Sequence, residues 1–301
     1  MADGSNALFT GSGVAIVTPF DDGGVNEAAM RELVDFHLRE GTDAIVVNGS
    51  TGEATTMSPD EQRRAAGIVV DAARKRVPVI VGCGGSDTAA VSRLAANARS
   101  AGADAILVSP PPYNKPPQRG IVAHYRQVMD AADLPCIVYN VPGRTACNIL
   151  PETVETLAQD ERVVGVKEAS GDISQVAELC RRVADRVAVY SGNDDQVVPL
   201  LALGGLGVIS VLANVAPAVT SRMVKEFLGG NVKEACRLQL HLLPLIAALF
   251  REANPMPVKA AVRMLGFDVG PLRLPLVEPS DAVLQELRTA MRDAGIDLRE
   301  S

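Results

Sequence analysis

The chain has 301 residues, 47% hydrophobic and 22% charged, the balance of a soluble globular protein with an ordinary core. Its formal net charge of -7, with no long run of lysine or arginine, argues against an extended nucleic-acid or anionic-membrane surface and leaves room for a local basic pocket at most. Five cysteines (Cys83, Cys136, Cys147, Cys180 and Cys236) form no CxxC pair and are odd in number, so they read as buried free thiols in a reducing cytoplasm. The first residues lack a basic region followed by an apolar core, and LLPLIAALF is far too short to span a bilayer, so a cytoplasmic protein without a membrane partner is expected.

Taken in order, eight short apolar, β-branched runs recur: VAIVTPF from Val14, DAIVVNG from Asp43, VPVIVGCG from Val77, AILVSPP from Ala105, PCIVYNV from Pro135, VVGVKEA from Val163, RVAVYSG from Arg186 and GVISVL from Gly207. Uninterrupted apolar runs suit strands covered on both faces, as in parallel sheets. Helical periodicity separates them. The clearest case follows Ser58, an N-cap with Pro59 in the first turn and Glu61 completing a capping box. Further helices fit 27–39, 88–100, 119–132, 151–158, 173–183, 196–203 and 217–228. Eight strand–helix alternations predict an α/β fold, a closed (β/α)8 TIM barrel over residues 8–230. Residues 231–301 read as a C-terminal three-helix extension, with helices at 233–250, 257–265 and 280–293. An open doubly wound sheet is disfavoured, since no GxGxxG follows the first strand.

Chemistry in such a barrel lies at the C-terminal ends of its strands. There the sequence sets Ser50-Thr51-Gly52-Glu53 after the second run, Tyr113 after the fourth, Tyr139 and Arg144 after the fifth, Lys167-Glu168 on the sixth, Gly192-Asn193-Asp194 after the seventh and Ile209 on the eighth. His37, His124 and His241 fall in predicted helices, so neither a histidine triad nor a histidine-rich metal site is expected. Glu53 and Glu168 are carboxylates at strand ends, but a divalent cation wants several converging oxygens.

A lysine held in an apolar barrel loses solvation. That disfavours the ammonium and makes available a neutral amine that attacks ketones to form a Schiff base. Tyr139, on the adjacent strand, is placed to move protons, and the planar fork of Arg144 suits a carboxylate. Local sequence leaves Lys167 open between this role and two bland ones: snorkelling to water, or pairing with Glu168.

The segments GVAIVTPF, NGSTGEATTMSPDE, PPPYNKPPQRG, VYNVPGRT, GVKEASGD and GVISVLANVAP resemble, in order, the dihydrodipicolinate synthase / N-acetylneuraminate lyase family, from about Phe9 to the C-terminal helices. The resemblance implies a (β/α)8 barrel that forms a Schiff base with pyruvate or a related 2-oxo acid and uses no metal cofactor. Arg144 in YNVPGRT and Tyr113 in PPPYNKP match the branch that condenses pyruvate with aspartate semialdehyde in lysine and diaminopimelate biosynthesis. The alternative is another pyruvate-dependent class I aldolase or lyase, acting on a 2-oxo sugar acid or 4-hydroxy-2-oxoglutarate. A non-catalytic 2-oxo-acid-binding protein on the same barrel would be favoured by loss of Lys167 or Tyr139, and both are present. The resemblance assigns the imine to Lys167, proton transfer to Tyr139, and a relay to Thr51 and Tyr113. It gives Ser50 and Thr51 the pyruvate carboxylate, Arg144 the semialdehyde carboxylate, and Gly192 and Ile209 the pocket wall. It also implies that Tyr113 crosses into a neighbouring subunit, within a homotetramer built as a dimer of dimers.

The chain departs from the family pattern in three places. Ser50-Thr51 replaces a Thr-Thr pair. Gly192-Asn193-Asp194 replaces Gly-Asp-Asp, which removes a charge near the pocket. Where lysine-inhibited members place polar groups for the inhibitor, this chain has Gln62, Ser86, Ala90 and Pro112, so weak or absent lysine inhibition is expected.

Overall fold

A run such as Ala44-Ile45-Val46-Val47 has no polar face to offer water, and it is buried from end to end. Eight such runs satisfy their backbone groups by pairing side by side. The chain's structure, a computed structural model, describes residues 7–299. Its strands are β1 (Gly11–Ala15), β2 (Ala44–Val47), β3 (Val79–Cys83), β4 (Ala105–Val108), β5 (Cys136–Asn140), β6 (Val163–Glu168), β7 (Ala188–Ser191) and β8 (Gly207–Ser210). All pair in parallel and in sequence order, and β1 closes the barrel by pairing with both β2 and β8.

The intervening helices are α1 (Glu27–Arg39), α2 (Pro59–Ala73), α3 (Thr88–Ser100), α4 (Gln118–Ala132), α5 (Pro151–Leu157), α6 (Ile173–Val183), α7 (Val197–Ala202) and α8 (Pro217–Leu228). Four of them, α1, α3, α6 and α8, have the bounds that periodicity and caps predict. The Ser58–Glu61 capping box opens α2, and Asn26, Asp87 and Asp172 cap α1, α3 and α6. Three helices follow: α9 (Val232–Leu249), α10 (Met256–Met264) and α11 (Asp281–Asp293). Their buried faces, including Leu242, Leu249, Val258, Ala261, Leu287 and Met291, join the layer of core between helices and barrel.

The first strand departs from its expected position. VAIVTPF reads as a strand from Val14, but β1 runs from Gly11 to Ala15, because Gly11–Val14 pair with Gly207–Ser210 of β8. Thr18-Pro19 leave the barrel, and Phe20-Asp21 instead pair with Gly24-Val25 in a two-stranded ribbon. Closing the barrel thus overrides local propensity.

Inside the barrel a second apolar layer gathers Ala15, Val46, Ile80, Leu107, Ile137 and Ile209. The rings of Phe9 and Tyr190 stack there, 4.3 Å apart and 5° from parallel, and the Tyr190 hydroxyl donates to Phe9 O at 2.7 Å. Gly165 explains its place in VVGVK: a Cβ there would stand 3.0 Å from the Tyr190 ring.

The extension is tied to the barrel by charge as well as by packing. Lys259 of α10 donates to Glu53 Oε1 at 2.6 Å, with both side chains fully buried, and to Pro271 O at 2.8 Å. Glu53 Oε2 accepts from Arg273 N at 2.9 Å. The Arg273 guanidinium in turn grips both carboxylate oxygens of Glu61, at 2.6 and 3.1 Å, and this pairing holds the Glu61 carboxyl down at about 2. Both cations lie against Phe20, whose ring centroid is 4.4 Å from Lys259 Nζ and 3.9 Å from Arg273 Cζ.

Candidate active site

Side chains alternate along a strand, so neighbours in sequence part company at the end of β6. Lys167 turns into the barrel and Glu168 turns out. Lys167 is paired in register with Tyr139 of β5 and Tyr190 of β7. It is 5% exposed, and its Nζ sits 4.3 Å from the centre of the Tyr139 ring. Both bland readings of Lys167 are thereby removed. The side chain does not reach bulk water, and Glu168 is engaged elsewhere, accepting from Ser170 N at 2.7 Å and Asn140 Nδ2 at 3.1 Å. Burial pushes the Glu168 carboxyl above its ordinary range. Among the described residues, no hydrogen bond or salt bridge holds the Lys167 ammonium.

The seventh strand end shapes the space around Lys167. A Cβ at Gly192 would stand 3.1 Å from Lys167 Cε and 2.7 Å from Ala169 Cβ, so only glycine fits beside the lysine stem. Asp194, the acid of Gly192-Asn193-Asp194, is buried. It accepts from Ser210 Oγ at 2.5 Å, Val211 N at 3.0 Å and Leu212 N at 2.9 Å, and burial pushes its carboxyl up. Asp194 therefore fixes the turn after β8. Ile209, one residue before Ser210, is fully buried in the inner layer.

A cavity of about 580 Å³ opens over strands β2 to β5. Ser50, Tyr139 and Arg144 line it, together with Asn254 and Pro255 of the loop before α10. Thr51 is buried beside Ser50, and its Oγ1 accepts from Asn254 Nδ2 at 3.0 Å. Arg144 stands on a helical turn, Pro142–Thr145, and donates from Nη2 to Asn254 O at 3.1 Å. One residue of the extension therefore touches both Thr51 and Arg144.

Tyr113 stands apart. It is 88% exposed at φ +70°, on a loop tied to the Arg144 turn by Tyr113 N donating to Thr145 O at 3.2 Å. Of the positions weighed for lysine recognition, the Gln62 amide donates to Ala54 O and Met57 O, and the Ser86 hydroxyl donates to Pro112 O. At Asn193, the backbone oxygen accepts from the Ser191 hydroxyl at 2.7 Å.

The structure thus brings Lys167, Tyr139, Gly192 and Ile209 together at the barrel's heart and sets Ser50, Thr51 and Arg144 at its mouth. Glu53, weighed as a metal-binding carboxylate, is committed to Lys259. Asn254 is a site residue that the sequence does not signal. Its Asn-Pro step in REANPMP marks an ordered turn, and nothing local to it points back to residues 51 and 144.

Comparison with known proteins agrees with this fold. The model of the dihydrodipicolinate synthetase family matches residues 8–294. A 4-hydroxy-tetrahydrodipicolinate synthase of Thermoanaerobacter sp. (strain X514) is 51% identical, over 96% of this chain and 98% of that protein. The crystal structure of dihydrodipicolinate synthase from Thermotoga maritima superposes with a TM-score of 0.93 at 41% identity, covering 96% of this chain and 99% of the other. The chloride-inhibited enzyme from Acinetobacter baumannii, complexed with pyruvate, gives 0.93 at 39% identity with the same coverage. A closed barrel with a C-terminal helical extension, a buried lysine on its sixth strand and full-length similarity to these enzymes lead to one conclusion: the chain belongs to the dihydrodipicolinate synthetase family.

Proposed function

We propose that this chain condenses pyruvate with L-aspartate 4-semialdehyde to 4-hydroxy-tetrahydrodipicolinate, through a Schiff base on Lys167. The observation that carries this reading is the lysine itself: 5% exposed, unpaired, and set against the Tyr139 ring at the end of a barrel strand. The Lys167 amine adds to the pyruvate keto carbon, and water leaves as the imine forms. The imine draws electrons from the methyl carbon, which loses a proton and becomes a nucleophilic enamine. That carbon bonds to the aldehyde carbon of the second substrate, and the resulting alkoxide takes up a proton. The substrate's own amino group then adds to the imine carbon and displaces the Lys167 amine, closing the ring.

Tyr139 is the group for these proton transfers, with Thr51 linking it to Tyr113. The carboxylate of pyruvate is assigned to Ser50 and Thr51, that of the semialdehyde to Arg144, and Gly192 and Ile209 shape the pocket. The same reading gives Tyr113, bare on this chain, to the site of a second copy, within a homotetramer made of two such dimers. Residues 8–230 supply the reacting groups, and 231–301 complete the mouth. Four of the five free cysteines are buried, which suits a cytoplasmic protein.

Two measurements test the reading. Borohydride reduction with pyruvate should trap an adduct that peptide mass spectrometry places on Lys167, and Lys167→Ala should abolish it with the fold intact. The purified chain should form the cyclic product from pyruvate and aspartate semialdehyde. Cleavage of a hydroxylated 2-oxo acid without such product would overturn it.

A further inference from the structure

Asn254 lies outside the barrel, in the loop before α10, yet it is 6% exposed and lines the cavity at the barrel mouth. Its side-chain Nδ2 donates to Thr51 Oγ1 at 3.0 Å, and its backbone oxygen accepts from Arg144 Nη2 at 3.1 Å. Its Oδ1 is buried and has no hydrogen-bond partner among the described residues. Leaving a buried acceptor unmet is unfavourable, so an amide held in this orientation calls for an explanation.

A threonine hydroxyl has one proton to give and lone pairs to receive with. An amide N–H occupying a lone pair of Oγ1 cannot also take the hydroxyl proton, so that proton turns elsewhere. No described residue's carbonyl or carboxylate accepts it. Its neighbour Ser50 lines the cavity together with Tyr139, and that is the side to which the proton is free to turn. Resting on the reading above, in which Thr51 relays protons to and from Tyr139, we propose that Asn254 is a positioning residue. It fixes the polarity of the relay by forcing the Thr51 hydroxyl to donate into the site. It does so with its side chain alone, since the Arg144 contact is made by backbone and survives substitution.

Asn254→Asp tests the assignment. The new side chain has the same shape, but an ionised carboxylate only accepts, so it draws the Thr51 proton to itself. Arg144, Tyr139, Glu53 and Cys83 line the cavity, with Lys167 against Tyr139 and Lys259 on Glu53, and the Arg144 cation holds the introduced carboxylate ionised near neutral pH.

At pH 8 the variant should lose about 10- to 100-fold in kcat, the loss of one hydrogen bond strengthened in the reaction. The KM for pyruvate should stay within about twofold, while that for the semialdehyde should rise in Asn254→Asp alone, because the introduced carboxylate competes for Arg144. As pH falls and the introduced carboxylate takes a proton, it becomes a donor again, and the deficit relative to the parent chain should narrow. Asn254→Ala, which offers Thr51 neither donor nor acceptor, should show a deficit that does not change with pH.

A kcat for Asn254→Asp within about twofold of the parent at pH 8 would overturn the proposal, and so would a deficit as flat with pH as that of Asn254→Ala. Failure of the underlying reading looks different: the parent chain itself would form no borohydride-trapped pyruvate adduct on Lys167.

Discussion

Lys259→Met removes the ammonium from a pair in which neither side chain touches water. Glu53 Oε1 then loses its 2.6 Å partner and Pro271 O loses its donor, while Oε2 keeps only the Arg273 N–H at 2.9 Å. Truncating one member of a buried ion pair costs about 3–5 kcal/mol, because the surviving charge is left without water or counter-ion. That is a large share of a net stability of about 5–15 kcal/mol. The double variant Glu53→Gln with Lys259→Met removes both charges at little change of volume. It should recover to within about 1–2 kcal/mol of the parent, since a buried pair's attraction mainly offsets its own desolvation. Urea unfolding of the parent, both single variants and the double variant gives the cycle, read from midpoints at constant slope. A Lys259→Met cost under about 1 kcal/mol would refute the reasoning, as would single costs that simply add in the double variant.

Gly192→Ala should act on chemistry before stability. The added methyl overlaps Lys167 Cε and Ala169 Cβ, and an overpacking term of about 1–3 kcal/mol corresponds to a fall of roughly 10- to 100-fold in the rate of adduct trapping. A parent-like trapping rate would contradict the contact. Arg144→Ala should raise the KM for aspartate semialdehyde by about tenfold or more and leave the pyruvate adduct unchanged. Equal loss for both substrates would remove the carboxylate role. His37, fully buried with both ring nitrogens unpartnered among the described residues, is pushed down to about 3 by burial. The folded chain therefore holds it neutral while the unfolded chain protonates it below about 6.5. Its contribution is fully present above that pH and drains away as pH falls toward 3, by about 2 kcal/mol between pH 8 and pH 5. His37→Leu should flatten that part of the stability profile, and an unchanged slope would show that other groups set it. Millimolar lysine should leave the rate within about twofold, since the Gln62 amide and Ser86 hydroxyl are occupied by backbone oxygens and Ala90 offers no carboxylate. Inhibition at micromolar lysine would contradict this.

What was legible in the sequence follows from which forces are local. Strands β2 to β8 could be located because strands buried on both faces are built mainly from apolar residues, and α1, α3, α6 and α8 because caps and apolar stripes lie within one or two turns. Lys167 was visible because a cation interrupts an apolar run, but its direction was not. Whether it met Glu168 or Tyr139 depended on strand alternation and on pairing with β5. The Phe20–Val25 ribbon, the true start of β1 and the bonds of Asn254 were beyond local reading. Each of the last two is set by a partner far along the chain: Gly207 for Gly11, and Thr51 for Asn254, 203 residues away. Glu53 shows the same limit. A carboxylate at a strand end looks available until Lys259 is placed against it.

That long reach bears on how the molecule is made. During synthesis all eight strands leave the ribosome before α10 does. A nascent barrel can close through Gly11 and Gly207 while Glu53 still lacks Lys259 and Thr51 still lacks Asn254. Until the helices after α8 arrive, the mouth carries an unpaired carboxylate and an unanchored arginine. A chain cut short after α8 would therefore hold Lys167 in a nearly finished barrel and yet expose a loosely held entrance. Closure of the sheet alone leaves the Glu53–Lys259 and Thr51–Asn254 contacts unmade, and they form only once α10 has been synthesised.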